Sequence, residues 1–352
     1  MSDARKCTLI ITNSHDITVN RVIDRLGTDR VFRLNSDLWP DYRITVAPGE
    51  FVLENPAGRR VARPQVAKCW WRKPRSRFAL KGQRAMQEAA GLSALRRLFR
   101  RAGRPAITQA ERFVEEEIAY ALREIKNLLW WDGRLVLVEP ASYMRLGKIV
   151  QMEIARDHFP VPGWEFRAAS PGATGPGRRR IVKPLGSESL GEDTWLWTTA
   201  VAENALDRSQ PWLLQDLVEA SHDVTVVFVR GSVFAFALDR AALAGETVDW
   251  REVGERTTPL WRPHDLPAEV AAAVSAFMDR VGLDYGRLDF LFDGADHWFL
   301  EVNSNGEWDW LDPDGTGGVL DRIAAELDPD GPVHPLTMPA DGRVPAPGDA
   351  PT

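Results

Sequence analysis

Gly286-Arg287-Leu288-Asp289-Phe290, followed closely by Phe299-Leu300-Glu301-Val302-Asn303-Ser304-Asn305-Gly306, carries three oxygen-donor side chains on two β-like runs. The runs Leu288–Phe292 and His297–Val302 are separated by Asp293-Gly294-Ala295-Asp296, a strong hairpin signal. Pairing across that turn brings Asp289 toward Glu301, and Glu301 and Asn303, two apart, share one face of a strand. Two carboxylates and an amide on one patch suit Mg²⁺, a hard cation that completes its octahedron with water and phosphate oxygens. The alternative is a solvated polar strand face followed by a turn, the ordinary place for exposed acids. The apolar residues around Glu301 weigh against it.

Working outward, 352 residues are many for one core, so two or three subdomains are expected. The 44 basic and 50 acidic residues leave a net charge of −6, which gives no general electrostatic case for a nucleic-acid partner. Cys7 and Cys69 lie in apolar strand-like runs, as small buried thiols in a reducing compartment rather than a disulfide framework. No apolar run approaches the length of a membrane span and no secretory signal follows Met1, so a cytoplasmic protein without a membrane partner is expected.

Thr8-Leu-Ile-Ile-Thr reads as a buried strand, Asn13-Ser-His-Asp16 as turn and cap, and Val19 to Leu26 as a helix closed by Gly27. Val31-Phe-Arg-Leu then starts a second strand, so the chain opens with a β-α-β unit inside an α/β (α+β) architecture. Ala110 to Leu129 is helical, acidic first and basic later, as the helix dipole prefers. The expected divisions are an N-terminal α/β domain over 1–130, a central region over 131–210, a third over 211–327, and a Pro/Gly/Asp-rich tail over 328–352 that does not pack.

Lys183 follows Ile181-Val182 and precedes Pro184 and the small-residue loop Gly186-Ser187-Glu-Ser-Leu-Gly191. That arrangement can set one fixed charge beside a phosphate chain, with loop N–H groups approaching closely; an ordinary surface lysine is the alternative. Gln215-Asp216-Leu217-Val218 ends an apolar strand like a hinge between two lobes, where backbone groups can hold a planar apolar ligand such as adenine. Asp223 follows as a possible partner for ribose hydroxyls, or as a solvated strand-start acid. Arg287, two before Asp289, faces the same patch and could stabilise charge on a transferred phosphoryl group or a tetrahedral adduct. Arg251 is a second such residue, with a surface salt bridge as its alternative.

In order, Lys148, Ile-Val-Lys183 with its loop, Leu-Gln-Asp-Leu-Val, Gly-Arg-Leu-Asp289 and Leu-Glu301-Val-Asn303 resemble the ATP-grasp superfamily of carboxylate–amine ligases, over about 140 to 325. The resemblance implies an ATP-grasp fold with an N-terminal pre-ATP-grasp domain and two lobes sandwiching the nucleotide. It further implies Lys148, Lys183 and Ser187 on ATP phosphates, Asp216 and Val218 at adenine, Asp223 at ribose, and Asp289, Glu301 and Asn303 on Mg²⁺. The N-terminal motifs Leu-Ile-Ile-Thr-Asn-Ser-His-Asp, Val31-Phe-Arg-Leu-Asn and Trp70-Trp-Arg-Lys-Pro74, with the Arg145-to-Met152 helix, Asp249-Trp-Arg251 and Gly306-Glu-Trp308, are similar to microviridin-type (graspetide) peptide maturases. Thr225 departs from the arginine those enzymes usually carry after the hinge, and the arginine of Gly-Arg-Leu-Asp is itself unusual among them.

That likeness implies a ligase using ATP and Mg²⁺ to phosphorylate side-chain carboxylates of a precursor peptide, leader plus core, and to close macrolactone or macrolactam links. Arg287 and Arg251 would be catalytic, and a homodimer or higher homo-oligomer would be in keeping with the family. The rival readings are an ATP-grasp ligase joining an amino acid to a small acid or a protein end, and a nucleotide-binding scaffold without ligase activity.

Overall fold

The computed structural model describes residues 5–75, 108–138, 142–168, 179–186, 198–203, 206, 211–243 and 248–337. Ser187, Gly191 and the Pro/Gly-rich loop at 171–177 lie outside the described residues, as do 338–352 of the expected tail. The chain divides into two compact units, one holding residues 1–136 and 320–335, the other 137–188, 196–319 and 336 onward.

In the first unit, β1 (Cys7–Thr12), β2 (Val31–Asn35) and β6 (Val66–Trp71) form a parallel sheet in the order β2-β1-β6. The crossover from β1 to β2 is α1 (Ile17–Leu26), the β-α-β unit read from the sequence. Asp16 caps that helix by accepting from the Val19 N–H at 3.2 Å, and Thr12 Oγ1 donates to its other oxygen at 2.6 Å. Gly27 closes it with a φ of +99°, a backbone that side chains resist. A second sheet pairs β3 (Arg43–Ala47), β4 (Glu50–Glu54) and β5 (Arg60–Ala62) antiparallel.

The long helix α2 (Gln109–Trp131) is started by a Thr108–Glu111 capping box and buries Leu122, Ile125 and Leu129. Cys7 and Cys69 are free and buried, and burial pushes the Cys69 thiol up to about 12. Residues 328–335, read from composition as the start of the tail, tie into this unit through Arg30, which pairs with Asp328 and Asp330.

The second unit holds two antiparallel sheets. Four strands, β7 (Trp164–Arg167), β8 (Arg179–Lys183), β9 (Thr199–Ala202) and β10 (Trp212–Asp216), lie in the order β7-β10-β8-β9. Five strands, β11 (His222–Val229), β12 (Ser232–Asp239), β13 (Arg262–Pro263), β14 (Tyr285–Phe292) and β15 (His297–Asn303), lie in the order β13-β12-β11-β14-β15. The helices here are α3 (Ser142–Arg145), α4 (Lys148–Ala155) and α5 (Ala268–Val281); α6 (Val319–Leu327) belongs, from Leu320 on, to the first unit.

One face of the five-stranded sheet is apolar. Val224, Val226, Phe228, Leu288, Phe290, Phe299 and Val302 pack there with Phe159 and with Val274, Phe277, Met278 and Val281 of α5. The Phe159, Phe277, Phe290 and Phe299 rings meet in tilted, stacked and edge-to-face contacts, with centroids 5.1 to 5.9 Å apart. Alternation then turns Thr225, Arg287 and Asp289 to the opposite face.

The β14–β15 hairpin departs from a plain ladder. Phe292 pairs with His297 and Phe290 with Phe299, which would carry Asp289 to Leu300; instead Asp289 pairs with Glu301. The extra residue on β15 is a β-bulge that flips the face on which every later side chain lies. Without the bulge Glu301 would follow His297 and Phe299 onto the apolar face. The unit also includes Thr337, whose N–H and hydroxyl donate to Asp284 at 2.8 and 2.6 Å.

Candidate active site

A cavity of about 330 Å³ lies within the second unit, walled by the polar face of the five-stranded sheet, by β8 and β10, by the start of α4 and by the segment after β12. Lys148, Lys183, Asp216, Val218, Asp223, Arg251, Arg287, Asp289 and Glu301 all line it. Asn303 does not. It shares the sheet face with Glu301 and pairs with Arg287 in register, but its side chain is exposed and accepts from the Asn305 N–H at 3.2 Å.

Lys148 is the first residue of α4, after Gly147. Its ammonium donates to the Pro184 carbonyl at 3.1 Å and stands 3.5 Å from Glu301 Oε2. The helix is fixed to β15 by Gln151, whose Oε1 accepts from the Val302 N–H at 2.8 Å while its Nε2 donates to the Leu146 carbonyl at 2.6 Å. Lys183 ends β8, opposite Leu213 of β10. Enclosure in the cavity pulls its pKa down to about 8, with Lys148 and Arg251 adding to the fall and Glu301 and Asp249 opposing it.

Burial pushes the Glu301 carboxyl up, but Lys148, Lys183, Arg251 and Arg287 together hold it below the ordinary glutamate value. Asp289 accepts from Thr225 Oγ1 at 2.9 Å on one oxygen and from Arg287 Nη2 at 2.9 Å on the other. Arg287 also donates to the Glu307 carbonyl at 3.3 Å and lies over the Trp310 ring at 5.2 Å. Its Nε is buried with no hydrogen-bond partner. A guanidinium so enclosed stays charged because Asp289 and Glu301 outweigh the cost of burial.

Arg251 is held by Asp249 through a two-pronged pair, Nε to Oδ1 at 2.8 Å and Nη2 to Oδ2 at 2.7 Å. Burial would raise the Asp249 carboxyl, yet the bonds from Arg251 bring it below its ordinary value. Asp223 is buried against Arg240, which donates to it at 2.7 Å and to the Val248 carbonyl at 3.2 Å. Desolvation still wins there, and the Asp223 pKa rises to about 7. At the end of β10, Asp216 gives its N–H to the Gly163 carbonyl at 2.7 Å, and Leu217 and Val218 continue along the cavity wall outside any ladder.

Sequence reading missed four residues that shape this site. Asp249 was read only as a neighbour of Arg251, and the pairing of Arg240 with Asp223 crosses from the far end of β12 with no local signal. The Thr225 hydroxyl on Asp289 and the Gln151 bridge to β15 depend on strand register and helix placement. Hydrophobic spacing marks only the apolar side of α4.

No protein-family model and no curated protein matches this sequence. Solved structures do. The "RiPP-associated ATP-grasp ligase" of Chryseobacterium gregarium, in complex with ADP and a leader and core peptide, aligns at 20% identity and a TM-score of 0.71, covering 95% of this chain and 99% of that one. The macrocyclase MdnC of Microcystis aeruginosa, bound with its precursor peptide MdnA, aligns at 20% identity and a TM-score of 0.68, covering 91% and 99%. The chain has the ATP-grasp fold. The ATP-grasp ligase PsnB, solved with a minimal precursor, Mg and ADP, gives a TM-score of 0.61 at 17% identity, over 90% of this chain and 96% of that one.

The donor set of this ATP-grasp cavity fits Mg²⁺ and a polyphosphate. Asp289 and Glu301 offer hard carboxylate oxygens on adjacent strands, and Lys148, Lys183, Arg251 and Arg287 stand around them. Among the described residues no three histidine, cysteine or acidic side chains group to hold a metal. An ion here would take two protein carboxylates and complete its shell with water and phosphate oxygens, the usual habit of Mg²⁺.

Proposed function

We propose that this protein is an ATP-dependent ligase that activates Asp or Glu side-chain carboxylates of a ribosomally made precursor peptide and closes ester or amide links within that peptide. The observation that carries this reading is the ring of Lys148, Lys183, Arg251 and Arg287 around Glu301 and Asp289 in one cavity of an ATP-grasp fold. Its similarity over nearly the whole chain to ligases solved with leader and core peptides supports the peptide as substrate.

In this reading Lys183 and Lys148 hold the ATP phosphates, the backbone of Asp216 and Val218 receives adenine, and Asp223 receives ribose after parting from Arg240. Ser187 adds its N–H or hydroxyl to the phosphates. Asp289 and Glu301 would hold Mg²⁺, with Asn303 able to replace a water as a third oxygen donor if its side chain turned inward, and the ion would supply charge neutralisation across the transferred group. A substrate carboxylate oxygen attacks the γ-phosphorus, the bond to the ADP oxygen breaks, and an acyl phosphate forms. A hydroxyl or amine of the same peptide then attacks the acyl carbon, loses its proton and expels phosphate. Arg287, with Arg251 beside it, stabilises the oxyanion of that adduct. Residues 1–130 would serve as the pre-ATP-grasp domain, with 131–210 and 211–327 as the two lobes around the nucleotide.

An ADP-release assay tests this directly. The purified chain, ATP and Mg²⁺ are given either a peptide encoded beside its gene, rich in Thr, Ser or Lys and in Asp or Glu, or a pool of free amino acids. Release with the peptide alone supports the reading. Release only with amino acids makes the protein a small-molecule ligase, and release with neither overturns ligase activity.

A further inference from the structure

On the apolar side of the five-stranded sheet, opposite the cavity, His264 Nε2 and His297 Nε2 stand 3.4 Å apart. His297 opens β15 and is buried; His264 lies in the segment between β13 and α5. We propose that these two imidazoles form a binding site for a zinc-class divalent cation, unrelated to the Mg²⁺-nucleotide site.

Three features of the pair support this. The separation is long for a hydrogen bond, since N–H···N contacts of normal strength are shorter. It equals the edge of a tetrahedron whose metal–nitrogen bonds are about 2.0–2.1 Å, an edge of about 3.3–3.4 Å. Among the described residues neither ring has another hydrogen-bond partner.

The rings are also preorganised. The Phe292 ring packs on His297 at 4.7 Å and on His264 at 6.3 Å, and the His264 N–H donates to the Ala235 carbonyl at 2.9 Å.

Imidazole nitrogen selects zinc, copper and nickel over magnesium or calcium. No third histidine, cysteine or acidic ligand groups with the pair among the described residues. Water fills the remaining positions, so the site is open and its affinity is set by two ligands. A bound ion would staple the segment ahead of α5 to the head of the strand that carries Glu301.

The test uses the full chain, freed of any histidine tag and stripped with chelator, titrated calorimetrically with Zn²⁺ alone at neutral pH. One Zn²⁺ per chain is expected, with His264→Gln and His297→Gln each weakening binding about tenfold or more. His222→Gln and Glu301→Gln should bind as the parent does, and Mg²⁺ should not compete. Co²⁺ should give the visible absorption of tetrahedral nitrogen coordination, lost in His264→Gln. Circular dichroism of the metal-free variants checks that His264→Gln, a half-buried position, stays folded. No saturable Zn²⁺ binding, or binding that His264→Gln leaves unchanged, would overturn the proposal.

Discussion

Arg287 has the most constrained charge in the cavity. Its guanidinium is tied to Asp289, bonded to the Glu307 carbonyl and stacked on Trp310, so it is positioned before any substrate arrives. Arg287→Met is expected to lower kcat by about 10²- to 10³-fold in steady-state ADP release. Arg287→Lys should not restore it, because a single ammonium cannot keep both bonds and the stack. The pH dependence belongs to two other residues. Lys183, with its pKa pulled down to about 8, carries its charge below that pH and loses it above. Nucleotide affinity of the free protein should therefore fall as pH rises through about 8, and Lys183→Met should flatten that fall in a binding titration.

Asp223 behaves in the opposite sense. Its pKa rises from the ordinary 3.8 to about 7 on folding, so the folded state holds a proton that the unfolded chain has released between those values. Its contribution to stability is full below about 4 and is lost as pH rises toward 7. Thermal melts over that range should show the parent losing stability relative to Asp223→Asn; parallel curves would refute the shift. That Asp223 is engaged by Arg240 was not legible in the sequence, because the pair joins the start of one strand to the end of the next.

The hairpin β14–β15 is the element on which the site depends. The Asp293–Asp296 turn was legible from its residue types, and so was the alternation that puts Asp289 on one face. The bulge was not: Leu300 is as apolar as its neighbours, and the turn alone would pair Asp289 with Leu300. The bulge is selected by the whole sheet, since it is what lets Phe299 and Val302 both reach the core while Glu301 faces the cavity. Deletion of Leu300 brings Glu301 directly after Phe299, so a plain ladder keeps Asp289 opposite Glu301 and Val302 in the core, and ADP release is expected to survive the deletion. Glu301→Gln should abolish release with little loss of stability. Denaturant melts check that both variants are folded, and loss of ADP release in a folded Leu300 deletion would show that the bulge itself, not the Asp289–Glu301 pairing, carries the site.

Gln151 belongs to this scale too. It supplies the acceptor for the Val302 N–H beside the bulge, and it holds α4 so that Lys148 meets Glu301. Gln151→Leu leaves buried polar groups unpaired and should cost about 1–3 kcal/mol, with a weaker nucleotide affinity. The sequence identified Lys148 only through the family resemblance, since a lysine at a helix start has no distinctive local pattern.

At the scale of the molecule, a chain of net charge −6 gathers six basic side chains along one cavity. The ordered motifs from Lys148 to Asn303 make the ATP-grasp fold legible in the sequence, while the Asp249–Arg251 and Thr225–Asp289 pairings exist only in the folded chain. ATP with Mg²⁺ should stabilise the folded state by about 2.7 kcal/mol at a hundred times its dissociation constant, read as a rise in Tm. Chelating the Mg²⁺ should remove most of that rise, because the triphosphate would then meet Asp289 and Glu301 unscreened.

The central claim is that carboxylate activation in this cavity ends in a link within one peptide. Its most direct test is the intact mass of the neighbouring precursor peptide after turnover, measured beside the ADP formed. One water lost per ADP, absent with Arg287→Met, is the expected result. A peptide whose mass is unchanged, or raised by a second molecule joined to it, would contradict the claim.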